Sequence, residues 1–250
     1  MMADVPVNLD QRHIAMLIDG DNAQAAIIGE MLAETGKYGL ITIRRVYGDW
    51  TTSNMNSWKE TLHTHAIQPI QQFRYTTGKN ATDSAMIIDA MDILYTTRID
   101  GFCLVSSDSD YTRLATRIRE KSLFVMGIGK KMTPRAFVNA CDVFVYTENL
   151  QPGGRTTPID ESAEAPDDLS EPPPWLPLFE NAFDLAVQDD GWAFLGALGH
   201  HLRQLDPGFD SRSYGYKQLS QMVRAHPDLF KMRKANKKGP SPIYVRLMRS

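Results

Sequence analysis

Cysteine is nearly absent from this chain. Only Cys103 and Cys141 occur in 250 residues, each inside an apolar segment. Two thiols cannot build a disulfide framework, and their setting fits buried cysteines in a reducing cytoplasm. Long hydrophobic runs are missing too: none approaches the roughly 20 residues of a membrane span, so no membrane crossing is expected. The first residues, MMADVPVNLDQRH, lack a basic segment followed by an apolar one, so no secretory signal is read there. No internal repeat is present. Nor does one sign of charge dominate, because the formal net charge is only −3.

What is present begins with 42% hydrophobic residues, enough to fill one large core or two smaller ones. The small net charge conceals an uneven distribution. Residues 1–150 sum to −2, residues 151–175 to −5 and residues 176–250 to +4. From Arg212 to Arg249 there are ten basic residues and one acid, Asp228. Such a run suits a phosphate-facing surface, although a solvated face has the same composition.

Between residues 13 and 148, apolar strand-like runs alternate with amphipathic helix-like stretches. Strands are expected at 13–19, 40–47, 67–75, 101–107, 123–128 and 143–146. Helices are expected near 22–35, 54–65, 82–97, 110–120 and 134–140. This alternation predicts an α/β domain over 10–150, a parallel sheet with helices on both faces. Residues 151–175 are rich in proline, acids and small residues and read as a linker. Residues 176–250 predict a small α+β unit. Its helices are expected at 176–187, 194–205 and 216–226, and 230–233 and 243–248 read as a hairpin, the pattern of a winged helix.

Two apolar strands end in acids. The run IAMLIDGDN at 14–22 places Asp19 and Asp21 at the carboxyl end of its strand, and 101–105 is followed by Ser106-Ser107-Asp108-Ser109-Asp110. In an open parallel sheet that edge binds ligands. Asp83 shares a helical face with Ile87, Ala90 and Leu94, so it is expected to point at the same edge, while Asp89 and Asp92 are expected in solvent. Asp19, Asp83, Asp108 and Asp110 would then converge. Clustered carboxylates repel one another, and oxygen donors without a histidine or thiolate cluster suit Mg²⁺ or Mn²⁺. The alternative is that these acids cap helices and turns separately, with Asp83 a favourable charge in a first helical turn beside Thr82.

IDGDN at 18–22, KNATD at 79–83 and VSSDSDYTRLATRIREKS at 105–122 resemble three signature blocks of the NYN family of PIN-like ribonucleases, and VNACDVFVYTENL at 138–150 is similar to that family's closing helix and strand. The resemblance covers residues 10–150 and implies a Rossmannoid, metal-dependent ribonuclease. By position, Asp19, Asp83 and Asp108 match the metal-binding acids, and Asp110 matches the second acid of its block. Asn22, three residues after Asp19, matches a D-x-x-N pair that would orient phosphate or water. Asp21, Ser106, Ser107 and Lys79 are the other residues implied to contact substrate. Two departures stand out. Many relatives have Ser-Gly-Asp where this chain has Ser106-Ser107-Asp108, and the loop bearing Lys79 is one residue longer.

Residues 195–233, most of all the block GFDSRSYGYKQLSQMV, closely resemble the OST-HTH or LOTUS domain. That implies binding of single-stranded or structured RNA, with Lys217, Arg224 and Arg233 among the phosphate contacts, although some relatives bind protein partners instead. Together the resemblances imply a cytoplasmic, metal-dependent ribonuclease with an RNA-binding module. Two alternatives remain: a catalytically silent RNA-binding regulator, and an HAD-like phosphatase. The second rests on the similarity of Asp19-x-Asp21 to that family's D-x-D, but Asn22-Ala23 replaces the turn that usually follows it.

Overall fold

The computed structural model describes residues 12–73, 81–151, 172–235 and 241–248. The acidic stretch 152–171, Lys79, and Lys237 and Lys238 of the basic run after Arg212 lie outside the described residues. Two units are present, Met1–Gln151 and Pro152–Ser250. No described helix is long and apolar enough to cross a membrane.

The first unit alternates β1 (His13–Asp19), α1 (Ile28–Thr35), β2 (Leu40–Gly48), α2 (Asn56–His65), β3 (Gln68–Gln71), α3 (Ala81–Thr96), β4 (Gly101–Val105), α4 (Thr112–Glu120), β5 (Phe124–Gly129), α5 (Arg135–Ala140) and β6 (Val143–Tyr146). All six strands are parallel, in the order β3-β2-β1-β4-β5-β6. The order reverses between β1 and β4, which opens a crevice at their carboxyl ends.

Strand β1 is buried on both faces because helices cover both. Ile14, Met16 and Ile18 join a core with Ile28, Met31 and Trp58. Ala15 and Leu17 face the opposite core, with Met86, Ala90, Tyr111 and Phe137. Asp19 continues the second set, because side chains alternate along a strand. Gly20 then passes so close to β2 that a Cβ would lie 2.7 Å from the Tyr47 carbonyl oxygen. A side chain between Asp19 and Asp21 would push the two strands apart.

Helix α3 departs from the expected face. Its buried positions are Met86, Ala90 and Ile93, with Ile87 and Leu94 at the margin. Asp92 is exposed as expected, but Asp89 is not simply solvated. It accepts two hydrogen bonds from Arg45 Nη1 at 2.5 and 2.6 Å and a short one from the Tyr47 hydroxyl. Arg45 and Tyr47 stand two apart on β2 and so share a face, and a half-buried guanidinium there requires an acid from the helix above.

The second unit contains α6 (Leu176–Ala186), β7 (Ala193–Phe194), α7 (Leu195–Leu205), α8 (Leu219–Arg224), β8 (Phe230–Lys234) and β9 (Ile243–Leu247). Its antiparallel sheet runs β7-β9-β8, so the expected hairpin gains a third, two-residue strand. The third helix is shorter than the expected 216–226. Gly215 adopts φ +87° after a 3₁₀ turn, and Gln218 is extended, so helix begins only at Leu219. Trp175, Phe179, Leu198, Leu202, Met222, Phe230 and Val245 form the core.

His226 lies at the edge of that core. Its ring meets Trp175 edge to face at 5.0 Å and shares a 3.0 Å hydrogen bond with the Tyr216 hydroxyl. Burial pushes its pKa down, with Asp228 opposing. The folded state therefore favours neutral histidine, and its contribution is complete above the ordinary histidine pKa and declines as pH falls toward the folded value. Thermal unfolding of the full chain is expected at lower temperature at about pH 5.5 than at about pH 7.5. His226→Phe should reduce that difference, and an identical pH dependence in the variant would show that His226 does not contribute.

Candidate active site

Asp19 is fully buried at the end of β1. Its Oδ2 accepts from Asn22 Nδ2 at 2.6 Å and from Ser106 Oγ at 3.0 Å, and its Oδ1 accepts from the Asp21 amide at 3.2 Å. The backbone amides of Asn22 and Ala23 bond to the Asp19 carbonyl, so the chain turns around this residue before α1 begins. The Asn22 side-chain amide, expected to orient phosphate or water, is thus bonded to Asp19. Burial is the largest influence on the Asp19 carboxyl and raises its pKa; Asp83 and Asp21 add to this, while the bonds from Asn22 and Ser106 oppose it.

The register of β1 and β4 brings Ser106 to Asp19. Ile18 pairs with Val105, so the next residue on each strand stands at the mouth of the crevice. The Ser106 hydroxyl donates to Asp19 and accepts from the Asp108 amide at 3.1 Å. Asp108 Oδ1 in turn accepts from the Asp110 amide at 2.9 Å and caps the 3₁₀ turn Ser109–Tyr111. The cap is therefore Asp108, which leaves the Asp110 carboxylate outside that role. No glycine is needed in Ser106-Ser107-Asp108, because the serine hydroxyls hold the turn. Ser107 Oγ accepts from the Lys130 amide at 2.9 Å.

Helix α3 supplies Asp83, whose Oδ1 accepts from the Tyr111 hydroxyl at 2.7 Å. Neighbouring Thr82 donates to Asp21 Oδ2 at 3.0 Å, joining the first turn of α3 to the loop after β1. The Asp83 pKa is raised, first by burial and then by the charges of Asp108, Asp110 and Asp21, against the hydrogen bond from Tyr111. Burial first, and then the charges of Asp19, Asp83 and Asp108 with the hydrogen bond to Asp83, raise the pKa of Tyr111 and keep it protonated. Sequence reasoning missed Tyr111: a fully buried residue between a loop and α4 looks like ordinary core, and only its hydroxyl distinguishes it.

One carboxylate oxygen from each of Asp83, Asp108 and Asp110 lies within 4.8 Å of the others. Asp19 stands outside this trio but close enough to Asp83 for their charges to interact. No lysine, arginine or histidine forms an ion pair with Asp19, Asp83 or Asp108 among the described residues. Oxygen donors at this spacing, with Asp83 and Asp108 lacking a cationic partner among the described residues, are what a hard divalent cation takes.

The family model of the NYN domain matches residues 13–149, more than half of the chain. The chain belongs to the NYN domain family. An NYN domain has a PIN-like nuclease fold, and a second family model, the OST-HTH/LOTUS domain, matches residues 175–242 and brings an RNA-binding type of module. Among solved structures, the chain is similar to a crystal structure of a protein of unknown function from Vibrio parahaemolyticus, 18% identical, covering 54% of this chain and 93% of that one with a TM-score of 0.46. It is also similar to a solution NMR structure of an uncharacterized protein from Nitrosomonas europaea, at 32% identity, 36% and 93% coverage and a TM-score of 0.28. A solution NMR structure of a protein from Chromobacterium violaceum gives 33% identity, 31% and 84% coverage and a TM-score of 0.25. No curated protein matches the chain.

In the OST-HTH domain, Lys217 is exposed two residues before α8 and Arg224 is exposed at its last residue. Arg233 is elsewhere, on β8, where it meets Asp190 at 2.5 Å and lies over Trp192 and Tyr244. The three cations that the sequence grouped thus fall on different elements.

In the NYN domain, Ser106→Ala would remove a donor from buried Asp19 and an acceptor from the Asp108 amide together. A loss of about 1–3 kcal/mol is expected, read as a lower denaturant midpoint at unchanged slope. An unchanged midpoint would mean that these bonds do not hold the crevice.

Proposed function

We propose that the NYN domain is a metal-dependent ribonuclease that hydrolyses RNA phosphodiester bonds, and that the OST-HTH domain supplies RNA to it. The observation that carries this reading is the convergence of Asp83, Asp108 and Asp110 within 4.8 Å, beside buried Asp19, where the strand order reverses. Asp83, Asp108 and Asp110, with Asp19 behind them, would hold Mg²⁺ or Mn²⁺. When bound, such an ion supplies positive charge to a phosphoryl oxygen and eases deprotonation of water.

The chain's own residues orient the acids. Asn22 and Ser106 direct two hydrogen bonds to Asp19 Oδ2, which favours its ionised form against burial. Tyr111 does the same for Asp83 and fixes which oxygen stays open. Ser107, accepting from the Lys130 amide, keeps its own proton to donate to a phosphate oxygen. The two free, buried thiols suit a reducing cytoplasm.

Purified protein is expected to cut labelled single-stranded RNA in Mn²⁺ or Mg²⁺ and not in EDTA. Asp83→Asn and Asp108→Asn should each slow cutting about 100-fold or more, from the loss of several kcal/mol of charge stabilisation. A wild-type protein that binds RNA but cuts in neither metal, with binding indifferent to EDTA, would make the RNA-binding regulator the correct reading.

A further inference from the structure

The outward face of the three-stranded sheet in the OST-HTH domain has an unusual composition. Strand register pairs Phe194 with Tyr244 and Tyr244 with Arg233 across β7, β9 and β8, and pairs Arg246 with Lys231 two residues along. The alternate positions Ala193, Val245, Leu247 and Phe230 are buried in the core. Phe194, Tyr244, Arg246, Lys231 and Arg233 therefore point away from it, and Trp192, which precedes β7 and alternates with Ala193, joins them. Three aromatic rings and three cations make up this face.

The groups are ordered by contacts among themselves. Phe194 and Tyr244 lie 6.0 Å apart, ring centroid to ring centroid. The Arg233 guanidinium lies 4.4 Å from the Trp192 ring and 5.3 Å from that of Tyr244. The Arg246 guanidinium lies across Gly191, about 3.8 Å from where a Cβ would be. Phe194 nevertheless remains 41% exposed. The acids at the edge, Asp189 and Asp190, lie in the turn before β7, and Asp190 meets Arg233. Exposed rings set among cations serve one type of ligand well. Bases of an unpaired strand can stack on the rings, while its phosphates meet guanidinium and ammonium groups whose stacking leaves their N–H donors outward. A duplex hides its base faces and gains only the charge contacts.

We propose that single-stranded RNA binds this outer sheet face, with bases stacked on Phe194, Tyr244 and Trp192 and phosphates on Lys231, Arg233 and Arg246. The proposal rests on the RNA-binding character of the OST-HTH domain and not on cleavage by the NYN domain. It locates the contact on the sheet, away from Lys217 before α8 and Arg224 at its end.

Binding of fluorescently labelled oligouridine to the full chain, measured in EDTA so that metal-dependent cutting cannot interfere, tests the proposal. Phe194→Ala combined with Tyr244→Ala should weaken binding about 10-fold or more. Lys231→Ala combined with Arg246→Ala should weaken it and lower the dependence of log affinity on log salt by about 0.7 for each charge removed. The charge pair is the safeguard should the aromatic pair impair folding, since both cations are exposed. Lys217→Ala combined with Arg224→Ala should have the smaller effect, and a hairpin duplex should bind less tightly than oligouridine. If the sheet variants bind like the wild type while the α8 variant loses affinity, the face is wrong although the domain binds RNA. A wild-type chain that binds neither RNA overturns both the proposal and the RNA-binding reading of the domain.

Discussion

The first unit depends on one buried charge. Taking a carboxylate out of water is costly unless donors replace the lost hydration. Asp19 obtains three donors from two segments: Asn22 and the Asp21 amide in the loop that follows its own strand, and Ser106 just beyond the neighbouring strand. The two segments are constrained separately. Asn22 bends the chain before α1, and Ser106 ties the end of β4 to the end of β1. The same hydroxyl accepts from the Asp108 amide, and Asp108 accepts from the Asp110 amide. The positions of the exposed acids are thus transmitted from the buried one through a series of hydrogen bonds, and a change at Asp19 would loosen the whole crevice.

Helix α3 needs its own anchor, because it brings one more negative charge to a place that already repels it. Asp89 provides that anchor by binding Arg45 and Tyr47 on β2. It lies six residues from Asp83, about 9 Å along the helix. Thr82 and Tyr111 then fix the first turn from two other directions. The result is a stable scaffold carrying an unfavourable cluster, with raised pKa values at Asp19 and Asp83 recording the cost. Local departures from stability of this type are expected where a site must receive a ligand of opposite charge.

The architecture was readable from the sequence because its signals are strong and local. Apolar runs of strand length and amphipathic stretches fall at the right intervals, and the expected bounds of β1 and β6 coincide with the observed ones. Spacing also pointed Asp83, Asp108 and Asp110 at one edge. The unread features are those set by partners distant in sequence. Asp89 looked solvated because nothing in α3 announces Arg45. Tyr111 looked like core, because hydrogen bonding to Asp83 leaves no trace in periodicity, and the D-x-x-N spacing of Asn22 did not tell that its amide would donate to Asp19. Strand β7 has two residues and shows no period at all. The basic run from Arg212 onward was visible as charge, but which of its members share a face depends on strand register across β8 and β9.

The two domains carry opposite charge preferences, and this has a physical consequence. A crevice of carboxylates repels a polyanion at long range, over a Debye length of about 8 Å at physiological ionic strength. In the proposed reading, RNA held by the basic OST-HTH domain is tethered to the acids through the covalent connection, which raises the local concentration of phosphates near them. Basic side chains placed there instead would pair with Asp83 and Asp108 and satisfy the charge that suits them to a divalent cation. In the same reading, capture on a separate domain leaves Asp83 and Asp108 without a cationic partner among the described residues while the RNA is held elsewhere.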